Sequence, residues 1–153
     1  EIIIAKMHWG DEYANKANEF QTSVAQELAD SGQIDLIDGS HSHSVQPITQ
    51  IGNTWIAYSH GNFVAAQREP ETIKSEGLVT RWEFVESTSG GFKLSCVKEV
   101  PTLIRDDRPV RVIDVNKALS TGEYLGETKN RLEKAKARTD ETVRALGFTQ
   151  FCN

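Results

Sequence analysis

The chain has 153 residues, the size of one ordinary domain, with 38% hydrophobic and 25% charged residues. Lys and Arg number 17 against 22 Asp and Glu, a net charge of −5 with no basic stripe, so nucleic acid, which is gripped mainly through its phosphates, is not an expected partner. No apolar run approaches the roughly 18 residues that a membrane span needs.

The sequence opens on Glu1 and passes at once into Ile2-Ile3-Ile4-Ala5, an apolar β-branched run that reads as a strand buried on both faces. A chain that enters a core strand with no initiator methionine, leader or turn is expected to be the cut end of something longer. A sheet cut there has an open edge, and open edges pair with other chains, so self-association is expected. Residues 6–13 carry the strand end into a polar loop. Asn18 offers an N-cap, and Phe20, Val24, Ala25, Leu28 and Ala29 follow at helical spacing until Gly32 supplies a stop. Residues 34–38 form a second strand that runs into Gly39-Ser40-His41-Ser42-His43. Strand, helix and strand make a β-α-β unit, hence a parallel sheet and the α/β class. In such sheets functional groups collect at the carboxyl ends of the strands, where His8, His41 and His43 all fall.

Residues 47–51 and 54–59 read as a hairpin turning at Gly52-Asn53. Residues 66–76 are polar, contain Pro70 and read as an exposed loop. A second antiparallel hairpin joins 78–86 to 92–100, and 110–115 reads as one more strand. Ser120 and Glu123 have capping-box spacing, predicting a helix from there to about Leu146. Its face is charged apart from Leu125, Leu132, Ala135, Val143 and Leu146, which reads as a solvated helix with a thin docking stripe. Cys96 and Cys152 are the only cysteines and have no zinc-site spacing; one disulfide or two free thiols both remain open.

The chemistry-bearing residues are the four histidines. His41 and His43 stand two apart, so an extended backbone would point both imidazoles to one side, and His8 on the neighbouring strand could converge on the same point. The alternatives are a His8 packed beside Trp9 and solvated loop histidines. Asp38, Asp11 and Glu12 are placed to orient imidazoles, and His60 and Asn62 to line the same rim. There is no G-x-S-x-G elbow and no phosphate-binding glycine loop, so metal-assisted hydrolysis leads the catalytic options. The carboxylate half of a two-metal site is not visible.

Three stretches, His8-Trp9-Gly10-Asp11-Glu12-Tyr13 with Gln21, then residues 35–46 around Asp38-Gly39-Ser40-His41-Ser42-His43, then Tyr58-Ser59-His60-Gly61-Asn62-Phe63, resemble the bacterial capsule-synthesis CapA/PgsA family in order and spacing over residues 1–67. The resemblance implies a branch of the calcineurin-like metallophosphoesterase fold and a role in poly-γ-glutamate capsule biosynthesis or export. It implies His8, His41 and His43 as ligands of a divalent metal (Mn, Zn or Fe), with Glu12 and Asn62 at further motif positions. His60 departs from the family's leucine, and Ser40 and Ser42 from its usual His or Ala and Pro. The family's N-terminal half, which brings the aspartate, the bridging carboxylate and an Asn-His pair, has no counterpart here. The chain therefore looks like a C-terminal half that alone binds two metals poorly. The expected organisation is an α/β part of a metallophosphoesterase-like αββα sandwich over 1–115, with a C-terminal antiparallel hairpin, and a peripheral helix and tail over 116–153. Expected partners are the missing half, the capsule polymer and a synthase complex; the expected location is extracytoplasmic, membrane-associated through preceding sequence. The expected activity is a metal-dependent hydrolase or transferase, with a non-catalytic scaffold as the alternative.

Overall fold

A computed structural model describes residues 1–65, 73–88, 90–105 and 109–152. The first sheet comprises β1 (Ile4–Trp9), β2 (Leu36–His41), β3 (Ile48–Ile51) and β4 (Thr54–Ala57), ordered β1-β2-β4-β3. β1, β2 and β4 run parallel and β3 antiparallel to β4, through the expected Gly52-Asn53 turn. α1 (Glu19–Asp30) is the crossover. Asn18 caps it in a full capping box: its side chain accepts from the Gln21 N–H, and the Gln21 side chain accepts from the Asn18 N–H. α1 lays Val24, Ala25 and Leu28 against Met7, Trp9, Ile37, Ile56 and Tyr58. Phe20, counted on that face from spacing, is instead 62% exposed.

The second sheet is an antiparallel meander of β5 (Glu76–Glu86), β6 (Phe92–Arg105) and β7 (Arg111–Asp114). The two sheets share a core in which Leu36, Ile48, Trp55 and Ala57 meet Leu78, Leu94 and Val97. This is an α/β arrangement, consistent with a metallophosphoesterase-like sandwich. Residues 60–62 stitch the sheets together: Gly61 bridges Gly77, and the Leu78 N–H donates to the His60 carbonyl at 2.8 Å. Residues 66–72 of the expected exposed loop lie outside the described residues; its end, Ser75 and Glu76, is buried.

Two further expectations are corrected. Ile3 and Ile4 are 40% and 52% exposed: Ile4 lies on the face of the edge strand β1 opposite the one that packs Ala5, Met7 and Trp9 with α1, and Ile3 precedes the strand. The single C-terminal helix is two: α2 (Val115–Thr121) and α3 (Gly126–Arg144). α2 is capped by Asp114, whose carboxylate accepts from the Lys117 N–H, and it ends at Gly122 in the left-handed conformation. Ser120 therefore lies inside α2, donating its hydroxyl to the Lys117 carbonyl, and caps nothing. α3 buries Leu132, Ala135, Thr139 and Val143, while Leu125 and Leu146 from the expected stripe stay exposed. Leu132 and Ala135 share a core with Leu103, Ile113, Val115 and Ala118 of β6, β7 and α2.

α3 is also held by charge. Arg138 grips the buried Glu76 carboxylate at the start of β5, its Nε donating to both carboxylate oxygens at 3.0 and 3.1 Å. Replacing Arg138 by methionine leaves that carboxylate buried without its cation and is expected to cost roughly 2–3 kcal/mol, somewhat below a fully buried pair because Arg138 is half-exposed. Adding Glu76→Gln should restore part of the loss; urea unfolding of the three variants measures both effects. Cys96 and Cys152 form a disulfide that fastens the tail to β6.

Candidate functional site

The histidines stand at the carboxyl ends of β1 and β2. Parallel register sets His8 opposite Ser40 and Trp9 opposite His41. The strand ends are locked from beneath by the buried Trp9, whose indole N–H donates to the Tyr58 carbonyl at 2.9 Å across Gly39. The His8 and His41 rings lie 4.5 Å apart between centroids, and His41 and His43 lie 6.4 Å apart. His41 (φ +103°) and His43 (φ +53°) both have left-handed backbones, as does Tyr13 (φ +63°). Positive φ is costly in non-glycine residues and concentrates where surrounding structure enforces it, commonly at functional sites. It also means that the extended backbone expected to point both imidazoles to one side is not the one that His41 and His43 adopt.

The enforcing contacts are on view. The Tyr13 N–H donates to the Ser42 carbonyl at 2.6 Å, and the Tyr13 ring stacks on His43 at 5.7 Å. The buried Gln46 amide donates to the Ala14 and Lys16 carbonyls, and Gln21 donates to Gln46 Oε1, so α1 and the loop after β1 are tied to the histidine loop. Asn62 fixes His43. Its amide donates to the Lys74 carbonyl at 2.8 Å, which turns Oδ1 towards His43 Nδ1 at 2.7 Å. The Nδ1 proton is thereby committed to Asn62, and Nε2 keeps its lone pair. Lys74 completes the rim with its ammonium 4.0 Å from the Tyr13 ring centroid.

The other candidates divide. Asn62 touches the histidine cluster as expected. Asp11 and Glu12 are exposed, and among the described residues no hydrogen bond or ion pair joins them to the histidines. His60 and Asp38 pair with each other, at 3.1 Å from Nδ1 to Oδ1, and Asp38 accepts from Lys6 Nζ at 2.5 Å. Burial pushes the Asp38 carboxyl up, but hydrogen bonds and charge from His60 and Lys6 outweigh it and bring it down to about 2. An ionised Asp38 stabilises the fold fully above about pH 4, and that stability fades as pH falls towards 2. Asp38→Asn should therefore cost roughly 2 kcal/mol at neutral pH, and its urea-unfolding curve should converge on wild type near pH 2. A constant difference across that range would refute the linkage.

Three imidazoles, one of which (His43) has its Nδ1 already committed, suit Mn, Zn or Fe, so the donor chemistry fits a divalent ion. The set is partial. The three histidines do not reach the mutual closeness of a formed three-ligand group. Among the described residues that closeness belongs to Glu83, Cys96 and Cys152, whose sulfurs are taken by the disulfide. Tyr13 lay within a motif noted in the sequence, yet its stacking carries no sequence signal. Lys74 arrives from the turn before β5, and no local pattern marks it.

Residues 1–67 match the family described as Bacterial capsule synthesis protein PGA_cap. The chain is 34% identical over 95 residues to "PGA biosynthesis protein CapA" of Bacillus subtilis (strain 168), covering 62% of this chain and 24% of that protein. It is 37% identical over 79 residues to "Capsule biosynthesis protein CapA" of Bacillus anthracis, covering 52% and 19%. The chain thus spans a quarter or less of the length of these relatives. All of the histidine cluster lies within the matched residues.

Proposed function

We propose, from the match of residues 1–67 to the bacterial capsule synthesis protein family PGA_cap, that the chain serves the biosynthesis or export of a poly-γ-glutamate capsule. His8, His41 and His43 supply imidazole ligands of a divalent metal centre, and carboxylate ligands come from sequence outside this chain. The observation that carries this reading is the restraint on His43: Asn62 holds Nδ1, Tyr13 covers one ring face, and left-handed backbones fix both His41 and His43. Such restraint is what a ligating histidine needs and a solvated loop histidine lacks. A divalent ion held there supplies Lewis-acid chemistry to a phosphoester or amide undergoing hydrolysis or transfer. This chain's own part is to present three imidazoles, to hold the His43 proton on Nδ1, and to set the Lys74 cation on the rim for an anionic substrate.

The disulfide supports an extracytoplasmic location, since such bonds persist in oxidising compartments. The exposed β1 edge supports pairing, either with a preceding part of the same protein or with a second copy. A second reading, a scaffold that binds polymer or a synthase partner without catalysis, is favoured by one observation: the three imidazoles are not closed into a full ligand group.

Elemental analysis of the complete protein after manganese or zinc loading separates the two. The hydrolase reading expects close to two ions per chain, lost in His41→Ala/His43→Ala. Unchanged metal content in the folded double variant would remove the histidines from the centre. No metal in either would leave the scaffold.

A further inference from the structure

We propose that Thr80, His60 and Asp38 form a second reactive site, a hydroxyl–imidazole–carboxylate triad that accepts an acyl group from a carboxylic ester onto Thr80 Oγ1. None of its members belongs to the histidine cluster proposed to hold metal. It is assembled across the two sheets: Asp38 lies on β2, His60 follows β4, and Thr80 lies on β5.

The geometry has three linked contacts. Lys6 Nζ holds Asp38 Oδ2 at 2.5 Å, and Asp38 Oδ1 lies at ion-pair distance from His60 Nδ1, 3.1 Å, without hydrogen-bond alignment. His60 Nδ1 also lies 3.4 Å from the Gly39 carbonyl. Both neighbours of Nδ1 are acceptors, so in the neutral imidazole, the form the reaction uses, the proton resides there and Nε2 is left as an acceptor. Thr80 Oγ1 lies 2.9 Å from Nε2, so the hydroxyl donates its proton to the imidazole. The Trp82 indole N–H donates to the same oxygen at 3.0 Å, which occupies one lone pair and leaves the hydroxyl proton for Nε2. A nucleophile within reach of a base that a third group orients is the general signature of covalent catalysis.

These groups are accessible. Thr80, His60 and Asp38 line a shallow, open depression of about 390 Å³, together with Lys6 and the apolar Phe63, Leu78 and Val79. His60 and Asp38 each retain 23% side-chain exposure. Apolar side chains beside a hydroxyl suit a short acyl chain rather than a phosphate.

The chemistry balances without a further reactant besides ester and water. Thr80 Oγ1 attacks the acyl carbon, and its proton passes to His60 Nε2. Collapse breaks the bond to the alcohol oxygen, which departs with that proton, leaving an ester on Thr80. Water then attacks the ester, giving one proton to His60, which returns it to Thr80 Oγ1 as the carboxylic acid leaves. Thr80 and His60 act on the substrate; Asp38 and Lys6 are positioning residues.

The test incubates the chain with p-nitrophenyl acetate and follows nitrophenol release, intact mass and peptide mapping. Hydroxylamine distinguishes an acetyl ester on threonine from acetyl amides on lysine. The expected result is a hydroxylamine-labile acetyl group on Thr80, retained at position 80 in Thr80→Ser and lost in Thr80→Val. His60→Gln, with its circular dichroism and melting unchanged, should slow acylation by about 100-fold or more. If His60→Gln does not fold, labelling of the wild type and the two position-80 variants decides. Acetylation confined to lysines, the absence of both an acid-quenched label on Thr80 and Thr80-dependent nitrophenol release, or an unchanged rate in folded His60→Gln overturns the proposal.

Discussion

Gly39→Ala is expected to lower stability by roughly 3 kcal/mol or more and to dismantle the histidine cluster with it. Gly39 lies in β2 between β1 and β4 and is buried. A Cβ there would overlap the Tyr58 carbonyl oxygen and stand 2.5 Å from the Trp9 indole nitrogen. Neither neighbour can retreat cheaply. The Tyr58 carbonyl belongs to a buried backbone segment, and Trp9 is 3% exposed beneath the site. The added methyl group would break the Trp9–Tyr58 hydrogen bond or force β2 away from β4, and β2 is the strand that delivers His41. The backbone conformation at Gly39 is not left-handed, so the penalty is steric alone. Thermal or urea unfolding of the variant measures it, and a loss below about 1 kcal/mol would show that the strand ends are looser than drawn.

The second large effect is expected from Cys96→Ala/Cys152→Ala. The bond spans 56 residues, for which the entropy of loop closure in the unfolded chain gives about 4 kcal/mol, and native small-domain bridges typically measure 2–5 kcal/mol. The tail that it anchors closes the core between the sheets. Phe148 is buried edge-on against Trp55 at 5.6 Å and against Phe151 at 4.7 Å. The Val97 N–H donates to the Gln150 carbonyl, and the Cys152 N–H to the Val97 carbonyl. Arg144 lies over the Phe151 ring at 4.2 Å and pairs with Glu99. These contacts favour docking without the bridge, so the double alanine variant should fold, with its urea midpoint shifted down and its unfolding slope increased as the freed unfolded chain exposes more surface. An unchanged midpoint would mean that the tail is held by packing alone.

Much of the first sheet was legible in the residues. Asn18 and Gly32 mark α1 by local hydrogen bonding and backbone preference, and Gly52-Asn53 marks the β3–β4 turn. These signals are local, and the sequence carries them without help. The second half was less legible where two local signals competed. Ser120 and Glu123 have capping-box spacing, yet Asp114 starts a helix six residues earlier and Gly122 ends it. Apolarity alone misled at Ile3 and Ile4, because composition does not say which face of a strand finds a partner.

For the site, the sequence determined which residues carry imidazoles and that His8, His41 and His43 sit at adjacent strand ends, because a β-α-β unit brings those ends together. It also determined the family likeness, through motifs whose order and spacing survive in the linear chain. Only the tertiary structure decided the orientations. Asn62, not a carboxylate, holds His43; Tyr13 covers its ring; and His60 turns away to Asp38 and Thr80. Only it decided that Cys96 and Cys152 are bonded. The physical reason is common to all of these: each contact joins residues far apart in the chain. Their meeting depends on how two sheets pack across a shared core, which no local pattern of residues encodes.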